Sequence, residues 1–132
     1  MSDYRVMLAM PHVGMVHSKA MRAIAHASAK HETYLNDKCS SALASNHNQI
    51  LCDVLNAGDR YTHLAVIHSD MGASECWVDT IIEEMDRLDA DLISVTNAIK
   101  DDRGVLSCGV GKPDTTWYPW RRLTVRELPA LH

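Results

Sequence analysis

The sequence predicts an α/β fold, a three-layer sandwich with a mostly parallel central sheet. Three observations predict it. Short apolar runs alternate with longer segments of helical periodicity, and glycine and proline punctuate the joints between them. The first run, from Val6 to Met10, is also apolar without interruption, which suits a strand covered on both faces. With 132 residues the chain is expected to form one domain over 1–132.

The first run, RVMLAM from Arg5 to Met10, is closed by Pro11 and Gly14 and reads as a strand. SKAMRAIAHASAK, Ser18 to Lys30, reads as a helix with Met21, Ile24, Ala25 and Ser28 on one face. A short second strand is expected around Thr33 to Leu35. Ser45 can cap a helix over SNHNQILCDVLNAG, in which Ile50, Leu51, Val54 and Leu55 recur and Gly58 supplies the stop.

The run HLAVIH, His63 to His68, is the next strand. Ser74 can cap the helix after it, where Val78, Ile81, Ile82, Met85 and Leu88 share a face opposite Asp79, Glu83, Glu84 and Arg87. DLISVT, Asp91 to Thr96, reads as a further strand. Asp102-Arg103-Gly104 then turns into VLSCGVG, with GVGKPD as a hairpin end. PDTTWYPWRRL is expected to be irregular, and Thr124 with Glu127 has capping-box spacing before a short last turn.

Composition narrows the function. A net charge of −4 with scattered basic residues argues against nucleic acid as partner. No segment approaches the ~20 apolar residues of a membrane span, and the apolar run at the N-terminus is too short for a signal peptide. The four cysteines, Cys39, Cys52, Cys76 and Cys108, contain no C-x-x-C pair. They are expected to be buried reduced thiols, which favours a cytoplasmic location.

In parallel α/β sheets ligands bind beyond the carboxyl ends of the strands. Two such ends carry polar residues here: Pro11-His12-Val13-Gly14 after the first strand, and His68-Ser69-Asp70 after HLAVIH. Asp70 is the strongest candidate, since a carboxylate in that position can hold a hard divalent cation against phosphate oxygens. A turn-capping role for Asp70 is equally ordinary. His68 could add a ligand or a hydrogen bond, although a histidine at a strand end is more often structural. The loop HVGMVHS, His12 to Ser18, opens a helix, where free backbone N–H groups favour an anion.

Other motifs lead nowhere. Ile67 to Met71 is no nucleophile elbow, and the histidines His12, His17, His26, His31, His47 and His63 lack zinc-site spacing. GVGKPD lacks the phosphate-loop pattern.

In order and spacing, RVMLAMPHVGMVH, SALASNHNQILCDVLNAG, THLAVIHSDMG, WVDTIIEEMDRLDADLISV and KDDRGVLSCGVG resemble a GT-A fold, family-2-like glycosyltransferase, specifically its nucleotide-sugar-binding half. The resemblance covers residues 5–111. It implies a Rossmann-like GT-A nucleotide-binding architecture that takes a nucleoside-diphosphate sugar, UDP-linked as first choice, with Mn²⁺ or Mg²⁺ bridging its two phosphates. His68-Ser69-Asp70 matches the family's D-x-D type motif, with Asp70 retained and His68 standing where relatives carry an acid. The family's nucleoside contacts fall on Pro11, His12, Val13 and Gly14. Its nucleotide-proximal asparagine falls on Asn48, next to His47 where relatives often have arginine, and Ser69, by its own sequence more readily a turn residue, is the middle residue of the matching motif and is implied to be a binding residue.

Relatives continue into an acceptor-binding half that supplies the catalytic base. For the present chain the expectation is therefore a fragment, a minimal enzyme completed by another subunit, or a binding domain without transfer chemistry. Asp91, Asp101 and Asp102 are acidic residues near a strand end and are more readily solvated turn residues. Two rival functions stand beside glycosyl transfer. One is a non-enzymatic nucleotide-binding or homo-oligomeric module, and the other a metal-dependent phosphohydrolase using Asp70 with His12, His47 and His68.

Overall fold

The computed structural model of the protein describes residues 4–97 throughout and, by backbone alone, residues 105–110 and 121–124. The chain divides into two compact units, Met1–Ala90 and Asp91–His132.

The first unit is α/β, with a small parallel sheet and three helices. Its elements run β1 (Arg5–His12), α1 (Ser18–Lys30), β2 (Glu32–Cys39), α2 (Leu43–Asn56), a 3₁₀ turn (Gly58–Arg60), β3 (His63–Val66) and α3 (Trp77–Leu88). The strands stand in the order β2-β1-β3, all parallel. Arg5 pairs with Glu32 at one end of the β1–β2 ladder and His12 with Cys39 at the other. On the opposite side Val6 to Ala9 pair with His63 to Val66. The ladder extends one residue further, as Ile67 N–H donates to the Ala9 carbonyl at 2.9 Å.

Every side chain from Val6 to Pro11 is buried, as suits the middle strand of the sheet. Val6, Leu8 and Met10 join Ala20, Ala23, Ile24 and Ala27 of α1 and Trp77, Val78 and Ile82 of α3 in one core cluster. Side chains alternate along a strand, so Met7 and Ala9 look the other way, toward α2, from which Asn46 and Ile50 are buried.

The buried face of α1 differs from the expected one. Met21 is exposed, and the helix buries Ala20, Ala23, Ile24 and Ala27. Alanines at this spacing let the helix approach the sheet closely, and the space beside them is filled by Trp77, whose indole N–H donates to the Ala23 carbonyl at 3.0 Å. The helix is capped by His17, whose Nδ1 accepts from the Lys19 N–H at 3.1 Å.

On α2 only Ile50 of the expected stripe is buried, while Leu51 and Leu55 are exposed. The helix also starts earlier than expected, at Leu43, so Ser45 lies within its first turn and accepts from the Gln49 amide at 3.2 Å. Gly58, with φ of +56°, marks the end of the helix as anticipated. Likewise α3 begins at Trp77 after Cys76, without a side-chain cap from Ser74. Of its expected face Val78 and Ile82 are buried and Leu88 is exposed.

Strand β2 is longer than the three residues expected. It is an edge strand whose residues are mostly exposed, with Asn36 alone fully buried, so its apolar signal is weak. DLISVT forms no strand: residues 91–97 have no regular structure, and Leu92 and Val95 are largely exposed. Without a neighbouring backbone to pair with, β-propensity alone does not make a strand.

In the second unit β4 (Val105–Val110) pairs antiparallel with β5 (Arg121–Thr124). The segment RRL, expected to be irregular, is therefore a strand; pairing with β4 satisfies its backbone where its own sequence signals little. Residues 98–104, 111–120 and 125–132 lie outside the described residues, and with them Asp101, Asp102, the turns expected at 102–104 and 111–114, and the last turn after Thr124.

Candidate functional site at the carboxyl end of the sheet

Topology gathers two of the predicted segments. In a sheet ordered β2-β1-β3 the chain leaves β1 in one direction and returns on its other side, so the order reverses between β1 and β3. The segment Pro11–Gly14 leaves β1 at this reversal and His68–Asp70 follows β3 there. A backbone hydrogen bond joins the two loops, from the His17 N–H to the Ser69 carbonyl at 2.7 Å. A second short bond, Met71 N–H to the His68 carbonyl at 3.1 Å, closes the turn that carries Ser69 and Asp70.

The loop after β1 is shaped by the last residue of the strand, His12. His12 Nδ1 accepts from the Gly14 N–H at 3.1 Å, and Nε2 lies 3.5 Å from the Asp37 carboxylate on β2. An acceptor Nδ1 puts the proton of the neutral ring on Nε2, facing that carboxylate. Gly14 has φ of +103°, a conformation that favours glycine. Thus Pro11 is buried, His12 is turned inward with 11% of its side chain exposed, and Val13 and Gly14 are exposed.

Helix α2 brings a further histidine to the same end. The ring of His47 lies 5.8 Å from that of His68, centroid to centroid, at 45°. Asn48, on the same helix, is exposed. His68 and Asp70 are both exposed at the mouth. His26, His31 and His63 engage elsewhere, with Glu75, Asp79 and Tyr4 respectively.

Sequence reasoning missed Asn46. It is 1% exposed, its amide donates to the carbonyls of His12 at 3.4 Å and Ser40 at 3.2 Å, and its Oδ1 accepts from the Ser40 hydroxyl at 2.7 Å. One side chain thereby ties α2 to the ends of β1 and β2. The signal was available, since Asn46, Ile50 and Asp53 recur at i, i+4 and i+7.

Three of the four cysteines also differ from expectation: Cys39, Cys52 and Cys76 are free thiols but exposed, because they lie respectively on an edge strand, on an outer helix face and in the loop before α3; the side chain of Cys108 lies outside the described residues.

Among the described residues no group of three His, Cys, Asp or Glu side chains is placed to enclose a metal ion. Mg²⁺ bound with substrate phosphates takes only about one or two protein carboxylates, its other positions going to phosphate oxygens and water. The donor set of Asp70 with His68 therefore fits a cation shared with a diphosphate, and does not fit one held by protein alone. Among the described residues no helix is long and apolar enough to cross a membrane.

Comparison of the chain with family models, curated proteins and solved structures gives no match in any of the three.

Proposed function

We propose that this chain is a Rossmann-like GT-A nucleotide-binding domain, with helix layers on both faces of its sheet, that takes a nucleoside-diphosphate sugar and participates in glycosyl transfer. The observation that carries this reading is the reversal of strand order between β1 and β3, with Pro11–Gly14 and His68–Asp70 as the two loops beside it. In open parallel sheets such a reversal opens the crevice that takes nucleotides.

In this reading the exposed edge of Pro11–Gly14 meets base and ribose, and His12 keeps that loop in shape from within. Ser69 and Asn48 offer polar contacts to the nucleotide. Asp70 holds Mn²⁺ or Mg²⁺ together with the diphosphate, with His68 as the second protein donor. When bound, that cation supplies positive charge to the departing nucleoside diphosphate. The base that activates the acceptor is not assigned among these residues. Three exposed free thiols suit a reducing, cytoplasmic setting.

Calorimetric titration of UDP, GDP and their sugars with Mn²⁺ present tests the reading. Wild type is expected to bind a uridine nucleotide, and Asp70→Asn to lose the Mn²⁺-dependent part of that binding. Equal binding of metal and nucleotide by both forms would overturn the assignment. Binding of UDP with no hydrolysis or transfer of its sugar would favour a non-enzymatic module, and turnover of simple phosphate esters would favour a phosphohydrolase.

A further inference from the structure

At the same end of the sheet the first two turns of α1 face the loop before α3 across an open hollow of about 440 Å³, lined by Lys19, Arg22, Gly72, Ala73 and Ser74. The two walls are held together. The His17–Ser69 bond joins them at one end, and Gly72 packs so closely on α1 that a Cβ there would stand 3.1 Å from the Cβ of Lys19. Lys19 and Arg22 are one helical turn apart, and among the described residues neither has a carboxylate within 4.0 Å. Glu75, next to Ser74, instead approaches His26 at 4.0 Å.

Of the other cations in the first unit, Lys30 pairs with Asp79, Lys38 with Asp53 and Arg87 with Glu84, while Arg5 donates to the carbonyls of Arg60 and Asp59 and Arg60 lies over the rings of Tyr34 and Tyr61. Two positive side chains left together on one wall of a hollow, opposite a serine, form a receptor for an anion with several oxygens. Guanidinium and ammonium groups match phosphate in complementary ways, one as a fork and the other as a point charge.

We infer that Lys19 and Arg22, with Ser74 across the hollow, form a phosphate subsite that neutralises the diphosphate through the protein's own charges. The inference rests on the nucleotide reading for the source of the phosphate, but the subsite itself does not require a nucleoside. The ligand class is a di- or polyanionic phosphate, supplied either by a nucleoside diphosphate or as free pyrophosphate.

The test is titration of sodium pyrophosphate and, separately, of UDP in EDTA, into wild type, Lys19→Ala/Arg22→Ala, the charge-keeping Lys19→Arg/Arg22→Lys, and Arg60→Ala as a cation outside the hollow. Folding of each form is checked by circular dichroism. Both ligands are expected to bind wild type without metal and to weaken about tenfold or more in the double alanine form, on the scale of lost charge-assisted hydrogen bonds. The charge-keeping form should retain most of the binding, and Arg60→Ala all of it. If pyrophosphate binds in this Lys19- and Arg22-dependent way but no nucleotide does, the subsite stands and the nucleotide reading fails. If UDP binds wild type and the double alanine form equally, the subsite is overturned while the nucleotide reading stands. Absence of pyrophosphate binding by wild type also overturns it.

Discussion

The two faces of β1 are built from different materials. Toward α1 and α3 the strand meets Ala20, Ala23, Ile24, Ala27, Trp77, Val78 and Ile82, a cluster with no charged member. Toward α2 it meets Ile50 and two buried asparagines. There the contacts form a polar chain: Lys38 pairs with Asp53 at 2.7 Å, Asn36 donates to Asp53 at 2.9 Å, and the same amide reaches Met7 Sδ at 3.6 Å. One face is held by packing and the other largely by direction-dependent bonds. The packed face therefore dominates stability, and the polar face fixes where α2 carries His47 relative to β1.

The largest test of this difference is Trp77→Ala. It removes the biggest side chain of the packed cluster and the bond to Ala23, and should cost about 3–5 kcal/mol in denaturant unfolding. Asn46→Ala comes next. It leaves the His12 and Ser40 carbonyls with one partner fewer, for a loss of about 1–3 kcal/mol. It should also shift the His47 and His68 ring resonances by NMR, which Trp77→Ala should leave closer to their native positions. Equal disturbance of those rings by both changes would break the contrast.

A pH titration sharpens it further. Hydrogen bonds from Lys38 first and Asn36 second hold the Asp53 carboxyl below its ordinary value of 3.8. Because the folded form holds this proton more weakly than the unfolded chain, the contribution is complete above the unfolded pKa. It is lost as pH falls through that value toward the lower folded one. Asp53→Asn should therefore flatten the acid limb of the stability profile, whereas Ile82→Val on the packed face should shift the profile down without changing its shape. Smallest of all is Leu55→Ser. The residue is 77% exposed and should change stability by no more than about 0.5 kcal/mol; a larger loss would show that the α2 stripe is covered by something further.

The sequence revealed most where one physical signal dominated. The start of α1 was readable because Pro11, Gly14 and Ser18 bracket it, and its end near Lys30 because its composition favours helix throughout. Its buried face was not, since three alanines, Ala20, Ala23 and Ala27, face the core beside Ile24 while Met21 looked more apolar than any of them. On α2 the same bias toward large side chains placed Leu51 and Leu55 inward and passed over Asn46, whose burial depends on two carbonyls distant in sequence. DLISVT and RRL fail in opposite directions for one reason. A strand is a property of a pair, and neither segment carries its partner's position. At the site, the two strand-end loops were legible from the α/β pattern alone. The meeting of His47 with His68 and the hollow at Lys19 and Arg22 were not, because helix positions relative to those loops are set by packing.

The bond from the His17 amide to the Ser69 carbonyl has a kinetic consequence. With the two mouth loops fastened to each other, little backbone would remain to be ordered on binding of the proposed nucleotide. Association should then resemble docking onto a rigid surface, with a single fast phase in stopped-flow traces and an on-rate governed by charge rather than by closure. The His17 amide proton should exchange slowly with deuterium in the empty protein, and at nearly the same rate once the crevice is filled.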